Sequence, residues 1–342
     1  MYIERGKMYY HLLHESRRFL IFLSVVIFIS GCNEATSTVD LLTGRESPPD
    51  VQFISIQSGS FTFGSAEELP CRAPNKEQEV PVTLTRSFLI AATEITQAQW
   101  SAMDFPNPSQ EPKDPNKPVT FVNFFEAAVW CNKLSRLEGL DPCYDFSSCS
   151  HPVGTGCGTD EKWPDEGCVD AGRNFSCNGN IHRFSDWYTC PGYRLPTTAE
   201  WEYAAKAGVT ETRTYGGDLN GEMLSACSLQ PALEDIAWYC NNSGGEIHPV
   251  GQKSPNPWGL YDTLGNAHEW ADYFSDGQPL NYDKPDQSLT DPIGPLVGEM
   301  KEIRSDSFFS TGCLVRSASN FNEYPFNRVF DIGFRPVRTI IE

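Results

Sequence analysis

The chain has 342 residues, a net charge of −19 and 12 cysteines. A surface this acidic repels phosphate backbones and anionic lipid headgroups, which excludes nucleic acid as a natural partner. At the N-terminus Arg17 and Arg18 precede an uncharged apolar run, Phe19 to Ser30, and then Gly31-Cys32. The run is short for a membrane-spanning helix. Its basic flank, apolar core and small-residue site predict a secretory signal over residues 1–31.

The four residues Ile29-Ser30-Gly31-Cys32 resemble a bacterial lipobox. That resemblance implies lipidation of Cys32, which would be the only link to a membrane and would put the protein in the cell envelope, periplasmic or on the surface. An ordinary signal peptide with a chance cysteine is the alternative. Residues 32–50 are polar, carry two prolines and lack an amphipathic period, and so predict a flexible tether. Residues 51–342 then suffice for a single large domain, with no repeat of solenoid or propeller period.

Within that domain, VQFISIQSGSFTFGS from Val51 and PVTLTRSFLIA from Pro81 alternate apolar and polar residues and predict strands. Thr96 with Gln99 has capping-box spacing and opens a short helix through Trp100 and Met103. A longer helix starts at Asn123, with Glu126 three residues on. Its residues Ala127, Trp130, Cys131, Leu134 and Leu137 form one apolar face, and Gly139 stops it. In YRLPTTAEWEYAAKAG, Thr197 and Glu200 form another capping box, Trp201, Ala204 and Ala205 predict a narrow buried face, and Gly208 ends the helix. Most of the chain beyond Gly208 is Gly-, Pro-, Asn- and Asp-rich and predicts irregular structure.

Six cysteines, Cys143, Cys149, Cys157, Cys168, Cys177 and Cys190, fall in a polar stretch with little hydrophobic period. In an exported chain this favours disulfides stapling a loop insertion; zinc is the competing reading, but no C-x-x-C spacing occurs. If Cys32 is lipidated, the odd number left predicts at least one unpaired thiol.

Four blocks stand in order: FTFGS with EITQAQW, YRLPTTAEWEYAAKAG, NPWGLYDTLGNAHEW, and RSASNFN with GFRPVR. Together they resemble the formylglycine-generating enzymes, also called sulfatase-modifying factors, from about Phe53 to Arg338. The resemblance implies one irregular α+β domain related to C-type lectin folds and stabilised by calcium. By the family's pattern Asp262 and Glu269 would offer side-chain oxygens, and Gly265 and Ala267 backbone carbonyls, to one Ca²⁺. Such hard oxygens on a glycine-containing loop suit that ion, although a tight loop packed by Leu260, Tyr261 and Trp270 without an ion is the plainer alternative. A second family calcium site falls near AWYCNNSGGEIHPVG, where Asn241 and Asn242 are the evident oxygen donors without a residue-by-residue match.

The resemblance also fails at one place. Family enzymes oxidise a substrate cysteine with O₂ at copper held by two cysteines, three and eight residues after the serine of a Gly-Gly-Ser motif. Here the motif reads Ser317-Ala318-Ser319 and those positions are Asn322 and Asn327. Cu(I) is a soft ion that binds thiolate, and a carboxamide replaces it poorly, so copper is not expected. Cys313 precedes the motif and reaches the site only if the loop is rebuilt. His268 stands where the family usually has Trp. An iron site from His268, Glu269 and His248 is conceivable, but the calcium pattern already uses Glu269.

The family pocket positions are therefore Ser319, Asn322, Asn327 and His268, and none is assigned as catalytic. These residues lead to an exported protein whose domain has exchanged oxidase chemistry for binding a peptide, protein or glycan. A divergent formylglycine-generating oxidase and another metal-dependent oxidoreductase are the alternatives. Phe321, Tyr324 and Phe326, interleaved with asparagines, are candidates for the binding surface, whereas Trp100, Trp201, Trp238, Trp258 and Trp270 are expected in the core.

Overall fold

The computed structural model describes residues 48–341 apart from 70, 74–75, 111, 150–179, 210–226, 276–279 and 281–287, together with 39–40 and 45–46. The expected signal, Cys32 and the three cysteines Cys157, Cys168 and Cys177 lie outside the described residues. Inside the stretch read as tether, β1 (Val39–Asp40) pairs with β2 (Arg45–Glu46). The packed part begins no later than Asp50, whose carbonyl accepts a hydrogen bond from Gln99.

The predicted strands form as β3 (Phe53–Ile56), β4 (Gly59–Phe63), β5 (Val80–Leu84) and β6 (Phe88–Ala91). The three α-helices among the described residues begin at the capping boxes read from the sequence: α1 (Gln97–Ser101) at Thr96, α2 (Phe124–Leu137) at Asn123, and α3 (Thr198–Lys206) at Thr197. Each cap satisfies two backbone N–H groups reciprocally. Met103 lies beyond the end of α1 yet is buried. Gly139 takes a positive φ just after α2, as expected of a stop. At the end of α3 the first left-handed residue is Ala207, followed by Gly208.

A 3₁₀ turn (Trp187–Thr189) precedes β7 (Tyr193–Arg194), and the later strands are β8 (His268–Ser275), β9 (Leu289–Thr290), β10 (Met300–Arg304), β11 (Asn320–Glu323), β12 (Ile332–Gly333) and β13 (Val337–Thr339). The glycine-rich block GLYDTLGNAHEW is a loop only as far as Ala267, because its last three residues open β8.

One four-stranded sheet runs β11-β10-β8-β12, antiparallel except for the parallel β8/β12 pair. A second runs β3-β6-β13-β7, so that the C-terminal strand closes onto strands from both earlier parts of the domain. A third joins β4, β5 and β9.

The first sheet lies between two helices. Ile303 and Trp270 join Phe124, Trp130 and Phe334 in a core on the α2 side. On the other side Thr198 donates to Glu302, Arg304 pairs with Glu202 at 2.7 Å, and Trp201 donates to Glu269 at 2.7 Å, all from α3. Strand alternation makes this division. A second core gathers Ile56, Phe63, Val82, Phe88, Ile90, Ala199, Tyr203 and Val337.

Helix α3 departs from the expected narrow buried face, since every residue from Thr198 to Ala205 is buried. Its acids go inside because each has a cation: Glu200 is held by both terminal nitrogens of Arg194 at 2.7 and 2.8 Å, and Glu202 by Arg304 and Lys206. Buried charge is tolerated when paired and hydrogen-bonded in this way. Trp100, Trp201 and Trp270 are core, as expected, whereas Trp238 and Trp258 are only half-buried.

Three disulfides join Cys71 to Cys313, Cys143 to Cys190, and Cys227 to Cys240, and Cys149 is also disulfide-bonded. Such bonds fit an oxidising, extracytoplasmic compartment. Cys131, on the buried face of α2, is the free thiol among the described residues. No helix among the described residues is long and apolar enough to cross a membrane.

Gly265 sets the approach of two loops. It has φ +85°, and a Cβ there would stand 2.0 Å from the carbonyl oxygen of Trp238. Gly265→Ala is therefore expected to cost more than about 2 kcal/mol in urea unfolding. An unchanged midpoint would show that the loops separate freely.

Candidate functional site

His268 opens β8 and turns toward the α2 side of the sheet. Its ring meets Phe321 edge-on at 5.4 Å, its Nδ1 lies 3.1 Å from the carbonyl of Ser305, and Asp331 Oδ2 is 4.0 Å from Nε2. Burial holds the imidazole below its usual pKa, against the pull of Asp331. Glu269, the next strand residue, points to the α3 side, where it accepts from Trp201 and Arg335. The two side chains therefore lie on opposite faces and do not converge on one ion. His248 is elsewhere engaged, stacked on Trp238 at 3.7 Å with Nε2 on the carbonyl of Ser243.

Arg335 uses all of its donors. Nε and Nη2 grip Glu269 at 2.6 and 2.7 Å, Nη2 also donates to the carbonyl of Tyr261, and Nη1 donates to those of Ala91 and Ala92. Close by are two more buried acids. Asp262, at φ +57°, accepts from the N–H of Gly251 through Oδ2, and Glu94 accepts from the Asn266 amide through Oε1. The second oxygen of each, Asp262 Oδ1 and Glu94 Oε2, has no hydrogen-bond partner. Burial pushes the Asp262 carboxyl up to about 6 and Glu94 well above the carboxylate range, with Asp262 adding to the latter.

Among the four calcium-pattern residues, the chemistry of the donors fits a hard cation best at Asp262, with its orphaned oxygen. Glu269 fits less well, because a guanidinium already covers both its oxygens. Among the described residues no three Asp, Glu, His or Cys side chains gather in metal-binding geometry. In the upstream segment Asn242 spends its carboxamide on the backbone of Tyr239 and Ala237, and Asn241 donates to the carbonyl of Cys227.

Asn322 and Asn327, which the resemblance would put at the family's cysteine positions, have different surroundings. Along β11, Asn322 lies on the α3 side, opposite to Phe321 and Glu323. Its Oδ1 is buried without a partner, whereas Asn327 donates to Glu323 at 2.8 Å. Cys313 is bound to Cys71, and Arg316 fixes that junction by pairing with Glu77 and donating to the carbonyls of Cys71 and Cys313. Burial raises the thiol pKa of Cys131 well above its usual value. Ser319 is buried beside Asp306. Both oxygens of Asp306 lack a partner at hydrogen-bonding geometry, and burial pushes its carboxyl up to about 7 against the pull of Arg316.

A cleft of about 440 Å³ has none of His268, Ser319, Asn322 and Asn327 in its lining. Phe308, Phe309 and Phe330 form an aromatic wall, with Phe308 and Phe309 4.3 Å apart and Phe330 nearly perpendicular to both. Phe309 is 53% exposed. Across from them are Gln97, Ser109 and Thr120, together with Lys117 and Glu246, paired at 3.1 Å. The walls are held by backbone bonds from Gln97 to Lys117 and from Phe308 to Asn266.

Sequence reasoning missed this cleft, because its residues run from Gln97 to Phe330 and share no motif. The pair Phe308-Phe309 was the one visible cue. Of the aromatic candidates it did propose, Phe321 packs on the core and His268, while Tyr324 and Phe326 stack at 5.4 Å with Tyr324 exposed.

A profile described as the sulfatase-modifying factor enzyme 1-like domain matches residues 40–340. The chain is 28% identical over 263 residues to the chaperone protein LppX of Paenibacillus barcinonensis, covering 75% of this chain and 80% of that protein. It is 27% identical over 238 residues to the formylglycine-generating enzyme of Mycobacterium tuberculosis, covering 64% and 73%. Against the Streptomyces coelicolor enzyme it is 32% identical over 161 residues, which is 42% of this chain and 46% of the enzyme. The solved structure of Treponema denticola variable protein 1 superposes with a TM-score of 0.60 at 28% identity, covering 84% and 95%. PvdO from Pseudomonas aeruginosa, at 18% identity and a TM-score of 0.58 over 91% and 100%, is alike in fold alone.

Asp306 gives the site region a pH dependence of stability. Its folded value, about 7, is above the ordinary 3.8, so its contribution is full below pH 4 and is lost as the pH rises to about 7. Asp306→Asn should be more stable than the native chain by about 2–4 kcal/mol at pH 8 relative to their difference at pH 4. Urea unfolding at both pH values tests this; a difference that does not move with pH would refute it.

Proposed function

Because the chain belongs to the sulfatase-modifying factor family, whose members include the formylglycine-generating enzymes, we propose that it is an exported family member that binds a polypeptide partner and does not oxidise cysteine. The observation that carries this is the fate of the thiols. The copper positions are Asn322 and Asn327, and the nearest cysteine, Cys313, is tied to Cys71. Cys131 is sealed in the core of the same domain. Thiolate-bound Cu(I) thus lacks its ligands at the inherited site.

Binding is supported by the cleft. Exposed aromatic rings beside a few polar groups are the composition of interaction hot spots, and a cleft of this size takes one or two side chains of an extended segment. The Paenibacillus relative bears the name of a chaperone, a class that handles polypeptides, which favours a polypeptide over a glycan. We place the chain at the cell envelope through Cys32, with residues 1–31 as signal and 32–50 as tether; the apolar run ending in Ile29-Ser30-Gly31-Cys32 supports this, as do the disulfides. Calcium belongs to the same reading as a structural ion at the Asp262 loop, where a buried oxygen has no partner. It would supply charge neutralisation there and no redox chemistry.

Two measurements test the reading. A peptide carrying Cys-x-Pro-x-Arg, incubated with the protein, Cu(I) and O₂, should return unchanged by mass spectrometry; formylglycine in the product would overturn the non-oxidase assignment. Selection from a displayed library of random peptides should enrich binders whose affinity falls at least about tenfold in Phe309→Ala and Phe330→Ala. Binders indifferent to both substitutions would place the binding surface elsewhere.

A further inference from the structure

Asp306 lies two residues before Phe308, in the segment that leads from the end of β10 to the aromatic wall of the cleft. Its exposure is 0%, and neither carboxylate oxygen has a partner at hydrogen-bonding geometry. The hydroxyls of Ser310 and Ser319 and the backbone N–H of Arg316 face it without reaching that geometry. Arg316 is the cation beside it, but that guanidinium is already matched by Glu77, which it grips through both terminal nitrogens, and it donates further to the carbonyls of Cys71 and Cys313. A second carboxylate against this pair is excess negative charge in a place closed to water, so the group is held as the neutral acid.

The chain just beyond it is the cleft wall. Residues 307–310 turn tightly with Phe308 and Phe309 at the centre, closed by the N–H of Ser310 on the carbonyl of Ser307 and by the N–H of Ser307 on the hydroxyl of Ser310. On the other side of Asp306, β10 is fixed between β8 and β11 as far as Arg304. A charge on Asp306 has to be met by water or by new donors, and neither reaches a fully buried carboxylate unless the backbone beside it shifts. The strand is held by ladders on both edges, so the shift passes into the turn and carries Phe308 and Phe309 with it.

We infer that Asp306 is a proton-operated control of the cleft: as the neutral acid it leaves the Phe308–Phe309 wall in place to bind, and as the carboxylate it displaces the wall and releases the occupant. This rests on the polypeptide-binding reading of the cleft and adds its regulation. Binding is then linked to one proton. Because the carboxyl ionises near pH 7, affinity is full in mild acid and falls by up to about tenfold per pH unit above that point.

Other titratable groups touch the same surroundings. His268 has Nδ1 3.1 Å from the carbonyl of Ser305, His248 has Nε2 2.7 Å from that of Ser243, whose hydroxyl donates to the carbonyl of Phe308, and Glu77 holds Arg316. A substitution at Asp306 alone leaves all three in place, so the difference between native and variant pH profiles isolates this carboxyl.

The experiment uses the full-length chain in detergent. The probe is a peptide selected at pH 6 from the displayed library, free of His and Cys, acetylated at its N-terminus and dependent on Phe309 for binding; its affinity is read by fluorescence anisotropy from pH 5 to pH 9. The native chain should lose at least about fivefold in affinity between pH 6 and pH 8. Asp306→Asn keeps the shape of the neutral acid and cannot ionise, so its affinities at the two pH values should agree within about twofold. Asp306→Ser cannot ionise either and should behave alike, which keeps the test open if the Asn variant folds poorly.

If the native and variant profiles run parallel, whether flat or sloping, the proton control fails while binding at the cleft stands. If no selected peptide depends on Phe309 at any pH, the cleft is not the binding surface and both readings fail.

Discussion

Arg335 and Glu269 meet at zero exposure with two short hydrogen bonds between them. The guanidinium lies just before β13, and the carboxylate is the second residue of β8. Through its remaining donors Arg335 also holds the carbonyls of Ala91, Ala92 and Tyr261, while Glu269 receives the indole of Trp201 from α3. The two four-stranded sheets, the glycine-rich loop and the third helix are thus registered on one ion pair. Removing either partner of such a buried pair costs about 3–5 kcal/mol, because the other is left charged in an apolar setting.

The same device recurs. Arg194 with Glu200, Arg304 with Glu202 and Arg316 with Glu77 are all buried pairs, and each arginine also donates to a backbone carbonyl of an irregular segment. A domain with short strands and long loops has many backbone groups that no ladder satisfies, and they must be paired if buried. Arginine suits this work, since its planar fork can hold a carboxylate on one side and carbonyls on the other. The Cys71–Cys313 disulfide adds a covalent tie at the Arg316 junction. Cys313, the cysteine nearest in sequence to Asn322, is thereby a staple.

Enclosed polar positions and exposed rings are different residues of this domain. Around Ser319, Asn322 and Asp306 the groups are mostly buried, with several polar atoms unmatched. The exposed aromatic material lies instead at Phe309, Phe330 and Tyr324. A surface that presents rings to solvent gains by covering them, whereas the enclosed polar positions have little access to a large partner. This distribution supports the binding role proposed above.

Much of the scaffold was legible in the sequence. Three capping boxes, the alternating strands near the N-terminus and the α2 face depend on neighbours within a few residues, where spacing alone decides geometry. The asparagines at 322 and 327 were equally legible, as a matter of residue identity. Only the tertiary structure decided that His268 and Glu269 part to opposite faces, that Cys313 is closed by Cys71, and that the acids of α3 are buried on arginines. The same holds for Phe309 and Phe330 lining one cleft with Lys117. Those pairings span tens to hundreds of residues and are fixed by how elements pack, a geometry that local periodicity does not encode.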